Sequence, residues 1–329
     1  MRWTEHFNTP GARISKANTL VYEFNFRRVK VQASSLLVYP DAIKELSTAV
    51  RVAGPSLTWI RDTRDSPLDA HRGTYTSFQE FFSGLRFGAQ TNFNRLDVSN
   101  SSYWSFGKGR YVLARNTRYG QERAFGTGND ELIPLPERLY AGGPTSLRGF
   151  GSNSAGPRDP ETGYPIGGAG ALIESTEMRL PPPNLPWLGD SVSFVLFHDM
   201  GNVFTNAGDA WVSAIRIHQP DRGSCKNLAN PVTGAGYDPK GTGPLTSTGQ
   251  QGPCSFNYFS HAPGLGMRYH TPVGPIRLDF SYNLNPPIYP VNTDYSLKTT
   301  SPYVPTYDTN PHMGEGGHFN FFFSLGQTF

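Results

Sequence analysis

Strict alternation of apolar and polar residues is the clearest pattern in the chain. From Pro275 the sequence reads PIRLDFSYNLNP, in which every second position, from Ile276 to Leu284, is apolar. Successive side chains of an extended strand point to opposite faces, so this segment has one apolar face and one charged or polar face. Its length matches the roughly 9–11 residues that a tilted membrane-crossing strand needs.

The last segment of the chain, HFNFFFSLGQTF, repeats this pattern. Phe319, Phe321 and Phe323 share one face with the terminal Phe329, and polar residues dominate the other face. Chain termini of soluble domains tend to fray, and a strand that ends on an aromatic residue is unusual for them. The four phenylalanines therefore predict a C-terminal strand that is anchored by an apolar surface.

Weaker alternation predicts further strands and brings the total to about ten. These candidates are Leu20–Gln32, Ser56–Thr63, Thr74–Phe82, Asn92–Phe106, Arg110–Tyr119, Ala169–Leu180, Ser191–Phe204 and Gly264–His270.

Connection lengths indicate how these strands are arranged. Short links at 107–109, 181–189 and 272–274 alternate with long links, which are 121–168, 205–259 and 285–317. A membrane barrel has tight turns on its periplasmic rim and long loops outside. We therefore expect an all-β fold for residues 1–329, a single transmembrane antiparallel β-barrel domain with long extracellular loops. A soluble β-sandwich also has alternating strands, but it rarely carries three such long loops on one side.

Composition supports an all-β fold and narrows the function. The 36 glycines and 28 prolines disfavour long helices. The net charge is only +3, with both signs mixed and no basic block, so nucleic acid is not an expected partner. Sequence motifs of metalloproteases, serine hydrolases and P-loop proteins are absent, and we expect no enzyme activity, no metal and no cofactor.

Two cysteines, Cys225 and Cys254, fall in the long 205–259 link. An exposed loop of an exported protein favours a disulfide between them over two free thiols. Such a bond would be structural.

Several ordered motifs resemble the BamA/TamA family of outer-membrane protein assembly factors. They are RDTRDSPLDAHRG (61–73), RLYAGGPTSLRGFGSNSAGP (138–157), FHDMGNVF (197–204), TPVGPIRLDFSY (271–282) and the terminal phenylalanine. The resemblance implies an integral protein of the bacterial outer membrane, with a barrel of about sixteen strands that follows periplasmic POTRA domains. Neither POTRA units nor the first strands are recognisable, so the chain would be the C-terminal part of such a barrel.

The resemblance also implies a site. The Arg148-Gly149-Phe150 motif would lie in the 121–168 loop, folded back into the barrel lumen, with Arg148 paired to one or both of Glu177 and Asp199. Arginine offers a planar fork of donors that suits carboxylates. Gly149 would let the backbone approach the wall, and Phe150 would pack beside it. The alternative is an unremarkable solvated loop arginine.

The function that the resemblance implies is insertion and folding of β-barrel proteins, or polypeptide translocation, at the outer membrane. The expected partners are outer-membrane lipid, unfolded β-barrel clients, periplasmic chaperones and accessory lipoproteins. A two-partner-secretion translocator, a passive porin-like channel and an inactive fragment are the alternatives. Residues 1–15 lack the apolar core of a secretion signal, so we expect a removed signal or a start partway through a longer protein.

Overall fold

Ten strands of the chain pair into one antiparallel sheet. A computed structural model describes residues 17–36, 40–126, 133–159, 163–183, 191–220, 256–269, 271, 275–291 and 312–326. The strands are β1 Asn18–Val29, β2 Val50–Asp62, β3 Gly73–Ser83, β4 Phe93–Phe106, β5 Tyr111–Ala124, β6 Gly170–Leu180, β7 Val192–Phe204, β8 Ser260–Tyr269, β9 Ile276–Tyr282, β10 Ile288–Val291, β11 His312–Glu315 and β12 Phe319–Leu325. The sheet order is β1 to β9 in sequence, followed by β12.

All ten strands that alternation predicted are present in this sheet, but three of them are longer than expected. β5 continues to Ala124, β2 begins at Val50 and β8 begins at Ser260. The added part of β2 contains Gly54-Pro55, and that of β8 ends at Pro263, next to Gly264; pairs of this kind usually mark turns. Both stretches nevertheless stay paired with the neighbouring strands. Because β5 continues to Ala124, which pairs with Phe93 of β4, the first long connection is 125–169 and not 121–168.

Gly264, the first residue of the predicted strand, lies inside β8 and is in close contact with β7. A Cβ atom at Gly264 would lie 2.1 Å from the ring of Phe197 on β7, which occupies the space of the missing side chain. The glycine is therefore a packing requirement inside a strand, where it permits close approach of a neighbour.

The sheet has an apolar outer face and a polar inner face. On β12, Phe319, Phe321, Phe323 and Leu325 are between 56 % and 83 % exposed, and the residues between them point the other way. β9 continues this outer face, with the Phe280 ring 4.8 Å from that of Phe321. Its inner-face residues are all buried, namely Arg277, Asp279 and Ser281. Phe329, Cys225 and Cys254 lie outside the described residues, so the terminal aromatic and the disulfide stay predictions.

The long connections all leave from one rim of the sheet, because neighbouring strands are antiparallel. Within the last of them, β10 and β11 pair as a small separate antiparallel sheet, whose strands are too short to show an alternating pattern. The described residues also contain two short α-helices, α1 at Pro40–Leu46 and α2 at Asp209–Ser213. In the part of the chain that the structure describes, no helix is long and apolar enough to cross a membrane.

The outer face predicts a depth-dependent response to charge on β12. Phe321→Arg near the middle of the strand should destabilise the protein in lipid by about 2–4 kcal/mol, whereas Leu325→Arg at its end should cost only about 0–1 kcal/mol. Guanidinium unfolding in phospholipid vesicles measures both. Equal costs at the two positions would show that this face does not contact the lipid core.

Candidate functional site

Residues 133–159 and 163–169 of the 125–169 connection lie over the inner face of the sheet. Leu139 and Gly168 exchange two backbone hydrogen bonds of 2.9 and 3.0 Å, and an isolated bridge joins Ala141 to Ala155. A cluster of buried apolar side chains joins the connection to the sheet, and its members are Leu139, Ala141, Leu147, Phe150, Ala155, Ala171, Ile173 and Val203. The connection is therefore held against β6 and β7 by its own core.

Arg148 lies at the centre of this contact, with both predicted carboxylates as partners. Its Nε and Nη2 atoms donate to the two oxygens of Asp199, each over 2.7 Å. Nη1 donates to Glu177 over 2.7 Å, and the backbone N–H of Arg148 adds a bond of 3.0 Å to Asp199. Two parallel bonds to one carboxylate fix the orientation of the guanidinium as well as its position.

The surroundings of Arg148 exclude water. The side chains of Arg148, Glu177 and Asp199 are all 0 % exposed, so the solvated-arginine alternative is wrong. The guanidinium carbon lies 3.4 Å from the ring centre of Phe197. Ser175 accepts from Nη2 over 3.1 Å and donates to Asp199 over 2.6 Å. We call these five residues the Arg148 site.

A second group of charges continues the network onto β8 and β9. Asp279 lies 3.7 Å from Nη1 of Arg148 and also binds Arg268 and Arg277. Arg268 in turn lies 3.3 Å from Glu177. Three buried arginines, 148, 268 and 277, are thereby balanced by three buried carboxylates, 177, 199 and 279. A buried charge is tolerated only when it is paired and hydrogen-bonded, and each of these six groups has a partner of opposite charge and at least one hydrogen bond, although Nε and Nη1 of Arg277 lack one among the described residues.

Sequence reasoning missed Asp279, Arg268 and Arg277 as parts of the site. Alternation on β9 had already assigned Arg277 and Asp279 to the polar face. That assignment was the available signal, since a charged inner face needs partners of opposite charge.

Electrostatics keep Arg148 charged. Burial acts to lower the pKa of Arg148, but the neighbouring carboxylates of Asp199 and Glu177 raise it above its usual value. The site therefore holds a permanent cation at neutral pH.

Gly149 and Phe150 extend the contact to other elements. The Gly149 carbonyl accepts bonds of 3.0 Å from Asn283 and 3.1 Å from Asn320, which lies on β12. A Cβ atom at Gly149 would lie 2.7 Å from Cβ of Ala262 on β8, so only glycine fits without movement. The Phe150 side chain is buried in the apolar cluster described above.

The other end of the connection is attached to β1. Glu137 is buried and forms two bonds with Arg27 of β1, one of them 2.9 Å long. Its backbone carbonyl also accepts from Arg95 on β4 over 3.3 Å. The connection thus contacts β1 and β12, the two edge strands of the sheet. Within the described residues no cluster of three metal-ligating side chains occurs.

Comparison with known proteins identifies the family. The model of the Omp85 superfamily domain matches residues 7–329, almost the whole chain. The chain belongs to the Omp85 superfamily. Members of this superfamily are integral outer-membrane proteins, and the apolar outer face of the sheet is the surface that contacts lipid.

Two curated relatives and one solved structure show the same resemblance. Over 145 residues the chain is 34 % identical to outer membrane protein assembly factor BamA of Nitratidesulfovibrio vulgaris, a match that covers 44 % of this chain and 17 % of the relative. Over 228 residues it is 26 % identical to a SAM50-like protein of Schizosaccharomyces pombe, covering 69 % of this chain and 39 % of the relative.

The solved structure shows the fold. The crystal structure of BamA from Haemophilus ducreyi lacking POTRA domains 1–3 aligns with a TM-score of 0.56 at 15 % identity, covering 94 % of this chain and 52 % of that one. The chain therefore has an antiparallel β-barrel fold of the Omp85 type. It spans less than half the length of the curated relatives it matches and about half of that crystallised chain.

The close approach of Gly149 to β8 predicts a compensating pair of substitutions. Gly149→Ala should destabilise the protein by about 1–3 kcal/mol, because the new methyl group overlaps Ala262. Adding Ala262→Gly should recover most of this loss. The matched control, Gly151→Ala, has only the Ser154 hydroxyl nearby at 3.4 Å and should stay within about 1 kcal/mol of wild type. Unfolding in vesicles measures the stability of wild type, the two single variants and the double variant. A double variant that is no more stable than Gly149→Ala would contradict the contact between residues 149 and 262.

Removing one charged partner from the Arg148 site should greatly lower the free energy of unfolding, because the opposite charges stay buried. Arg148→Ala leaves two buried carboxylates without their main partner and should cost about 3–5 kcal/mol. Adding Glu177→Gln and Asp199→Asn should return part of that stability, because neutral amides cost less to bury. Unfolding midpoints, together with protease cleavage within 125–169, test this. A fully stable single variant would mean that the network is not needed to hold the connection.

Proposed function

We propose that the chain is the barrel of an outer-membrane protein assembly factor, which inserts and folds β-barrel proteins. One observation carries the proposal, namely the connection fixed at Arg148 across the inner face of an Omp85 barrel, where it reaches both edge strands. The names of the relatives, an assembly factor BamA and a SAM50-like protein, support the same function.

The edge of β12 is the surface we propose for client binding. β12 pairs with β9 through seven residue pairs, and in the described sheet no strand pairs with its other edge. An edge strand presents a row of backbone donors and acceptors, which an incoming extended segment can join as an additional strand. A client strand would gain its backbone hydrogen bonds there before it enters the lipid, where unsatisfied groups are costly.

The connection would keep this edge in position. Asn320 of β12 binds the carbonyl of Gly149, the residue that follows Arg148. Asn283, directly after β9, binds the same carbonyl. Movement of residues 148–150 would therefore shift the Gly149 carbonyl, to which Asn320 of β12 is attached.

The partners that follow from this proposal are outer-membrane lipid and unfolded β-barrel clients. Periplasmic chaperones that deliver clients, and accessory lipoproteins, are further proposed partners. Folding of the client itself supplies the driving force, because its apolar face enters lipid and its backbone becomes paired. No nucleotide or cofactor is required for this step.

Arg148→Ala tests the function. We expect folding of a β-barrel client in proteoliposomes to slow about tenfold, the effect of losing about 1.4 kcal/mol of edge-strand positioning. Arg148→Lys, which keeps the charge but loses the two-pronged contact with Asp199, should give an intermediate rate. Arg110→Ala removes an exposed arginine from the β4–β5 turn and is the matched control, with an unchanged rate.

Wild-type client folding in a correctly folded Arg148→Ala protein would refute the proposed role of the connection. If neither wild type nor the variants fold a client, but a polypeptide crosses the vesicle membrane, secretion is the function instead. Steady conductance without any effect on polypeptides would identify a passive channel.

A further inference from the structure

Residues 209–217, in the connection between β7 and β8, present an unusual run of exposed apolar side chains. Ile215 is 89 % exposed and Trp211 is 64 % exposed. Val212 and Ile217 are also more than half exposed. Four large exposed apolar groups thus fall within seven positions, and exposed apolar groups that cluster in a folded protein usually mark a binding site.

This segment is not a loose loop. The carbonyl of Arg216 accepts a bond of 2.7 Å from the backbone of Phe259, and the Ile217 carbonyl accepts one of 2.6 Å from Asn285. Just beyond it, Gln219 is buried and exchanges two bonds of 2.9 and 2.7 Å with the backbone of Ile288. The apolar side chains are thus held outward by a fixed backbone.

The segment lies on the outer face of the barrel, at the rim of the long connections. Trp211 packs on Tyr119 of β5, with ring centres 5.3 Å apart. Tyr119 alternates with Gly120, which is covered by Leu139 on the inner face, so Tyr119 points outward. Ala210 of α2 is fully buried, in a cluster with Phe204 and Phe259 against which Tyr119, Leu172 and Met200 pack.

We propose that residues 209–217 are a lipid anchor, which lies in the interface of the outer leaflet against β5–β7. The surface is continuous with the lipid-contacting outer face. Exposed Arg216 and His218 alternate with Ile215 and Ile217, so polar groups can reach headgroups while the isoleucines enter the acyl region. Tryptophan at such a rim sits at headgroup level. The inference depends on the barrel's membrane location and not on client folding.

Fluorescence quenching in brominated lipids tests the anchor. The full chain is reconstituted in vesicles of phosphatidylcholine that carries bromine either near the headgroup or near the methyl end of the acyl chain. The difference in emission between wild type and Trp211→Phe reports Trp211 among the five tryptophans of the chain. We expect this difference to lose most of its intensity with shallow bromine, to lose less with deep bromine, and to be insensitive to aqueous iodide.

Two further variants keep the result interpretable. Trp104→Phe removes a half-exposed outer-face tryptophan of β4 and is the matched control for ordinary lipid contact, so its difference must be quenched by bromine. Ile215→Trp in the Trp211→Phe background moves the reporter to the most exposed position, where shallow bromine should quench again. Iodide quenching without bromine quenching at both 211 and 215 would overturn the proposal, because the segment would then project into water and remain available to a protein partner.

Discussion

The buried charge of Arg148 is the interaction on which the rest of the inner face depends. An isolated guanidinium would be very costly to bury, so the cation is stable only where carboxylates converge on it from the sheet. Glu177 and Asp199 supply that environment from two adjacent strands, and Asp279 adds a third carboxylate from β9. Arg268 and Arg277 then neutralise the excess negative charge. The connection cannot leave the wall without stranding these groups, which is a stronger restraint than its apolar contacts alone.

This restraint explains how a long glycine-rich connection becomes a structural element. Ordering such a segment costs conformational entropy at every residue. Two separate attachments oppose that cost, one at Arg148 and one where Glu137 meets Arg27. Between them the chain crosses from the side of β1 to the side of β12. Both attachments are ion pairs, which fix the position of the connection between the two edge strands.

Much of the fold followed from the sequence, because a sheet with lipid on one side separates its residues sharply by face. β9 and β12 carry this pattern without interruption, and their bounds were predicted closely. The start of β8 was not, since the strand begins at Ser260, before the Pro263-Gly264 pair, and such a pair usually marks a turn. Pairing of Arg148 with two carboxylates came from family resemblance. The contacts of Arg148 with partners on β8 and β9 depend on how the strands align. The exposed face of residues 209–217 depends on packing across three strands. Neither could be predicted from the sequence alone.

Three strands, β6, β7 and β9, present the carboxylates of the network to the lumen, and this has a consequence for how the barrel reaches its own folded state. Side chains alternate with period two, so a slip of β6, β7 or β9 by one residue would turn Glu177, Asp199 or Asp279 toward the hydrocarbon. The same slip would deprive Arg148 of a partner in a dry interior. A strand in the wrong register would therefore be destabilised in two ways, by a carboxylate that faces lipid and by an Arg148 guanidinium without a partner. Burial of Arg148 among these carboxylates therefore favours the native register of the three strands over slipped alternatives.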